Sequence, residues 1–338
     1  MSALSCAFGV RTPAIDADWR AFLSETQPWG LILFREACVS REQVKRLCAD
    51  ARDALGRDAI IWIDQEGGRV ARLKPPEWPV WPAPARYGAI YAEDKARGLE
   101  ACTLGYRLIA DELKRIGVDA DFAPVLDTPV SGADPIIGDR AFAMQADVIV
   151  ALGRAALAGL HAGGVAGCIK HMPGHGRAEA DSHLALPRVA AGEADLVRDV
   201  APFAALKDAE AAMTAHIVFD AWDCERPATC SEQVIREIIR GAIGFRGLLM
   251  SDDLDMKALA LTGDLAHRAR AALGAGCDIV LQCNGVLADM RLTAEGCRPL
   301  EGASLSRAET VEAFAKAAPE PFEPEAGWRR FRDLIGAR

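Results

Sequence analysis

Positive charge is in short supply in this chain. Its 338 residues carry 39 lysines and arginines against 48 aspartates and glutamates, a formal net charge of -9. That balance excludes nucleic acid and anionic membrane as partners, because either demands a basic face. Long apolar runs are missing as well. The best stretch, residues 148–169, is interrupted by Arg154 and His161, so no membrane span is expected. Residues 1–10 lack a basic region and a long enough apolar run, so no secretory signal is expected either. None of the ten cysteines forms a Cys-x-x-Cys pair, and Cys6, Cys168, Cys277 and Cys283 lie in apolar segments. Reduced, buried thiols in a cytoplasmic protein are expected, not a disulfide framework. Internal repeats and low-complexity linkers are absent. The Gly-containing stretch Asp64-Gln65-Glu66-Gly67-Gly68-Arg69-Val70-Ala71-Arg72 lacks the Walker lysine and the Rossmann glycine spacing, so it is no phosphate cradle.

What is present is apolar and periodic. Hydrophobic residues make up 51% of the chain, ample for a large core. Strand-length apolar runs recur at 4–10, 30–34, 59–63, 120–125, 165–169, 212–217, 247–250 and 278–282. Helix-like stretches lie between most of them. Residues 41–55, 94–116 and 146–162 space their apolar residues by three and four, and 231–243 opens on Ser231, suited to N-capping. Apolar strands alternating with helices predict a parallel sheet covered on both faces, and eight strands can close a barrel. Polar residues follow many different strands: Asp64 and Glu66, Asp127, Lys170 and His171, His216, Ser251 to Asp253, and Asn284. An open sheet gathers its site at one switch point, whereas a barrel collects residues around its whole C-terminal rim. The expected fold is therefore α/β, a single (β/α)8 barrel spanning 1–338, with a C-terminal helical appendage from about residue 300.

The densest chemistry lies in residues 170–183, Lys-His-Met-Pro-Gly-His-Gly-Arg-Ala-Glu-Ala-Asp-Ser-His, which hold three of the six histidines. Pro173, Gly174 and Gly176 are expected to turn the preceding strand into a loop. Asp181 and His183 form a carboxylate–imidazole pair able to fix a tautomer and stabilise an imidazolium. A metal reading of His171, His175, His183 and Asp181 is disfavoured, since Pro173 and Gly174 keep His171 and His175 off one helix face. With Gly174, Gly176, Ala178 and Ala180 as its residues, the loop has few apolar anchors. It is expected to be mobile without ligand and to close on substrate. In Ser251-Asp252-Asp253 an apolar strand runs straight into two carboxylates. Helix capping explains Asp253 or Asp255, while Asp252 sits where a barrel points side chains into its mouth. For Arg140 in Ile137-Gly138-Asp139-Arg140, a plain salt bridge is the alternative to a site role.

Taken together these motifs resemble glycoside hydrolase family 3, and within it the short bacterial β-N-acetylhexosaminidases that recycle cell-wall fragments. The match runs from Gly30–Phe34 through Asp64–Arg72, Phe122–Asp127, Gly138–Phe142, Lys170–His183, Met213–His216 and Ser251–Leu254 to Ala275–Asp278. The resemblance implies retaining removal of terminal β-linked N-acetylglucosamine from muropeptides, with no cofactor, a small carbohydrate as the partner and a monomeric enzyme. It implies Asp252 as nucleophile, His183 as acid/base and Asp181 as its orienting partner. Asp64, Arg72, Arg140, Lys170 and His171 match the residues that grip the sugar. No extra α/β domain of the kind that larger members carry is expected. A sugar phosphorylase and a non-catalytic sugar-binding barrel are the alternatives, since a histidine base does not repel phosphate as a carboxylate would.

Overall fold

The computed structural model describes residues 3–178 and 186–336. Among them eight parallel strands close into a barrel: β1 (Leu4–Val10), β2 (Pro28–Leu33), β3 (Ile60–Ile63), β4 (Ala120–Asp121), β5 (Ala166–Met172), β6 (Ala211–Thr214), β7 (Leu248–Asp253) and β8 (Ile279–Gln282). Each strand pairs with its sequence neighbours, and β1 closes the ring on β8. The expected (β/α)8 barrel is what forms.

Apolar side chains on both strand faces explain why alternation is absent from the sequence. In β3, Ile61 and Ile63 face the helices while Ile60 and Trp62 fill the barrel. Inside, Trp62 stacks on Phe122 at 4.8 Å, with Trp29 beside it at 6.1 Å. The helices Arg41–Leu55 and Ala146–Ala162 begin and end where the three- and four-residue spacing predicts. Ser231 does cap its helix, accepting from the Val234 amide at 3.1 Å, although Val234–Ala242 is wound as a π-helix.

Two strands depart from their sequence limits, and both departures matter for the site. The regular ladder of β4 ends at Asp121, although the Phe122 amide still donates to Ile63 and the Ala123 and Pro124 carbonyls accept from β5; a bridge then forms between Val125 and Lys170. β5 continues through His171 to Met172, so Lys170 and His171 stand on a strand end and not on a loop. The C-terminal region does more than append. Helix Gly302–Ala315 joins the barrel's interior core through Ala308, Val311 and Ala315, and Glu312 accepts from the Trp29 indole at 2.7 Å. Trp29 lies near the start of β2, so this helix closes the N-terminal end of the barrel. Helix Pro324–Ile335 packs Phe331 against Trp81 and Tyr87 on the outside. Among the described residues, no helix is long and apolar enough to cross a membrane. All ten cysteines are free thiols, most of them buried.

Candidate active site

The C-terminal mouth of the barrel opens into a cavity of about 500 Å³, large enough for a monosaccharide. Asp64, Arg72, Arg140, Lys170, His171 and Asp252 all line it. The sequence scattered these six over nearly two hundred residues, and the ring of strand ends brings them together. Asp181 and His183 lie outside the described residues.

An alternating chain of charges forms one wall. Arg72 donates to Asp64 at 2.7 Å, and Lys170 sits between Asp64 at 2.9 Å and Glu66 at 2.6 Å. Arg140 grips Glu66 through two parallel bonds of 2.8 Å each, the planar fork that an arginine offers a carboxylate. Glu66, noted in the sequence only as a polar residue after a strand, is the wall member to which sequence reasoning gave no role. The signal was available: Asp64 and Glu66 are two apart after a strand, which puts both side chains on one face. Gly67, at φ +102°, turns the chain back directly after it, where a Cβ would come within 2.3 Å of the Pro82 carbonyl.

Burial pushes the Asp64 carboxyl up, but Lys170 and then Arg72 outweigh it and hold it far below the usual range. Glu66 behaves alike: burial raises it, and Arg140 and Lys170 pull it down to about 2. The Lys170 ammonium, opposed by burial but flanked by two carboxylates, is held above its ordinary value. Each charge in the wall is therefore fixed at neutral pH. The arginine of residues 137–140 does make a salt bridge, though with Glu66 and not with its neighbour Asp139, which pairs with Arg69 at 3.1 Å.

His171 and Asp127 continue the wall. Asp127 Oδ2 lies 2.7 Å from His171 Nδ1, and Oδ1 accepts from the amides of His171 at 3.2 Å and His175 at 2.6 Å. His175 is buried, and burial followed by the nearby His171 pulls its imidazole down to about 4. The first part of the expected mobile loop is well anchored. Gly176 accepts from the Val130 amide at 3.2 Å, and Ala178 accepts from the Asp134 amide at 2.9 Å. Gly176 is packed so closely on Thr128 that a Cβ would lie 1.9 Å from the carbonyl oxygen. Residues 171–178 are thus held by main-chain bonds and close backbone packing, with Met172 and Ala178 as their apolar contacts. The remainder of that loop, from 179 to 185, lies outside the described residues.

Facing this wall, β7 delivers its two aspartates to different tasks. Asp253 Oδ1 takes the amides of Asp255 at 3.1 Å and Cys283 at 3.0 Å, tying the ends of β7 and β8 together. Burial first, with Asp252 beside it, pushes Asp253 up to about 7. The buried His216 donates from Nε2 to the Asp253 carbonyl at 3.0 Å and meets Thr229 at Nδ1, 2.7 Å away. His216 therefore props the backbone. Asp252 is partly exposed to the cavity, with Oδ1 accepting from the Asp253 amide at 2.8 Å. Asn284, the last of the strand-end polar residues, binds Asp289 at 2.6 Å and the Val286 amide, a turn role only. Among the described residues no group of His, Cys, Asp and Glu is arranged to hold a metal ion.

Fixed charges and a carboxylate around a sugar-sized cavity in a barrel mouth fit the requirements of a barrel-class glycoside hydrolase, the class to which the chain's relatives belong. The model for the glycosyl hydrolase family 3 N-terminal domain matches residues 6–300, and the chain belongs to this family. It is 36% identical over 315 residues to a β-hexosaminidase of Xanthomonas axonopodis pv. citri, covering 92% of this chain and 91% of that protein. Identity to a β-hexosaminidase of Alkalilimnicola ehrlichii is 42% over 282 residues, 82% of this chain and 79% of the other. The fold is similar to NagZ of Neisseria gonorrhoeae, solved in complex with N-trifluoroacetyl-D-glucosamine. That likeness has a TM-score of 0.86 at 30% identity, over 100% of this chain and 99% of that one.

Proposed function

We propose that the protein is a retaining exo-β-N-acetylglucosaminidase in which Asp252 is the nucleophile and His183, oriented by Asp181, is the acid/base. The observation that carries this reading is the cavity itself. Asp252 enters it from β7, opposite a wall of charges already paired and ordered before any ligand arrives. In the first step an Asp252 oxygen attacks the anomeric carbon and the glycosidic C–O bond breaks, while His183 gives its proton to the departing oxygen. In the second, His183 takes a proton from water, the water oxygen bonds to the anomeric carbon and the Asp252 ester bond breaks. Asp64, Arg72, Arg140, Lys170 and His171 hold the sugar hydroxyls, and their mutual ion pairs remove much of the ordering cost of binding.

The natural substrate in this reading is a muropeptide of cell-wall recycling, cleaved in the cytoplasm by a monomer. Arg11, Arg35, Glu36 and Arg69 line the cavity; Arg11 is paired with Glu36 at 2.9 Å and Arg69 with Asp139 at 3.1 Å, while the exposed Arg35 adds a further positive charge. A leaving group bearing peptide carboxylates would meet opposite charge there. Ten free thiols suit a reducing compartment.

The reaction with an aryl β-N-acetylglucosaminide, followed by NMR in phosphate buffer, tests the chemistry. The β-anomer of N-acetylglucosamine should appear first. The α-anomer as first product contradicts the retaining route, and a sugar 1-phosphate makes the protein a phosphorylase. His183→Ala should impair nitrophenyl substrates far less than substrates with sugar leaving groups, since a positioned acid is worth about 10²–10⁴-fold only where protonation is needed. Equal losses for both classes would remove His183 from the role.

A further inference from the structure

The buried Asp127 carboxylate touches the sugar wall only through His171, yet its geometry decides what that ring can offer. A carboxylate can only accept, so its 2.7 Å contact requires the proton on His171 Nδ1. Arg140 Nη2 stands 3.4 Å from the other ring nitrogen, and a guanidinium can only donate. A lone pair on Nε2 satisfies it. Both neighbours therefore select the same tautomer, and neither is free to turn. Arg140 is locked on Glu66 by its fork, and Asp127 Oδ1 is held by two backbone amides. The ring, which lines the cavity, thereby keeps its acceptor nitrogen on the side of Arg140, another lining residue.

We propose that Asp127 is a positioning residue that keeps the His171 proton on Nδ1, so that the single Nε2 lone pair stays an acceptor and a sugar hydroxyl takes it over from the long 3.4 Å contact with Arg140. The inference rests on the reading that His171 contacts the sugar, and it adds the polarity of that contact and the residue that sets it. Asparagine at position 127 keeps the shape and reverses one end. With its nitrogen toward His171 it drives the proton to Nε2, where it opposes Arg140 and the sugar hydroxyl. With its nitrogen toward the two amides it sets donor against donor twice. The first placement costs less, so Asp127→Asn should swap the tautomer.

The test uses the full chain labelled with 15N-histidine, the His171 signals being assigned by their loss in His171→Gln. Wild-type spectra should show a protonated Nδ1 and a bare Nε2, a readout that needs no variant at position 127 to fold. Asp127→Asn should move the proton and weaken N-acetylglucosamine binding about tenfold, the loss of one hydrogen bond's worth of free energy. In the His171→Gln background the same change should weaken binding less than about twofold, because the ring it acts on is gone. A wild-type ring protonated on Nε2, or losses that simply add in an active enzyme, would overturn the proposal alone. A protein that binds and cleaves no β-N-acetylglucosaminide refutes the activity itself and the sugar contact with it.

Discussion

At the scale of single residues, the site depends on charges that are buried and paired, and such pairs respond sharply when one partner is lost. Glu66 is wholly buried between Lys170 and Arg140. Replacing it by glutamine leaves the three cations of that wall, Arg72, Lys170 and Arg140, to the single carboxylate of Asp64, a change expected to cost about 3–5 kcal/mol of stability. Denaturant unfolding of Glu66→Gln measures it, and kcat/KM should fall with it because Lys170 and Arg140 lose their anchor. The pH dependence has a definite sign. Glu66 ionises more readily folded, at about 2, than unfolded, so its contribution is full above the unfolded value and drains away as pH falls toward 2. The wild-type protein should therefore lose stability more steeply than Glu66→Gln on going from pH 6 to pH 3. Asp121 has the opposite sign. It is wholly buried, one oxygen accepts from the Gln65 amide, and the other has no hydrogen-bond partner among the described residues. Burial pushes it up to about 8. A carboxyl that prefers its proton when folded costs stability as pH rises from its unfolded value through 8. Asp121→Asn should accordingly be more stable than wild type at pH 9, by a margin that shrinks toward pH 4. A margin independent of pH would contradict the assignment.

At the scale of elements, close backbone approaches hold the site's strand ends in place. Gly176→Ala places a methyl carbon 1.9 Å from the Thr128 oxygen, so either the segment after β5 or the one after β4 must shift. A fall in kcat/KM with about 1–3 kcal/mol of lost stability is expected, the usual range for overpacking. Eight strands and the three longest periodic helices were legible in the sequence, because burial on both strand faces and a three- to four-residue helix spacing leave plain marks. Strand ends were less legible. Lys170, His171 and Met172 look like the start of a loop, since a polar pair before proline reads as a break. They remain strand because Val125 and the Leu126 amide pair with Lys170 on one side, while Met172 pairs with Thr214 and accepts from the Ala215 amide on the other. Cavity residues at strand ends, such as Asp64 and Asp252, were visible from position alone. Glu66 and Asp127 were visible as residues but not as partners, since partnership depends on which strands become neighbours.

At the scale of the whole molecule, one end of the barrel is closed and the other carries the chemistry. Helix Gly302–Ala315 seals the end near Trp29, and the C-terminal helix braces the outer layer through Phe331, leaving the opposite mouth as the open one. Phe331→Ala should cost about 3–5 kcal/mol through the cavity it leaves. Because Phe331 lies outside the barrel, KM for an aryl β-N-acetylglucosaminide should stay within about twofold, additivity holding for distant sites. A large change in KM would mean that the outer layer is coupled to the mouth. The central claim is that this mouth forms a covalent bond to the sugar through Asp252. Incubation with a 5-fluoro β-N-acetylglucosaminyl fluoride, followed by digestion and mass spectrometry, tests it most directly. The account predicts one added sugar on the peptide containing Asp252 and none in Asp252→Ala. A label on another residue, or an unlabelled enzyme that turns the donor over, would contradict it.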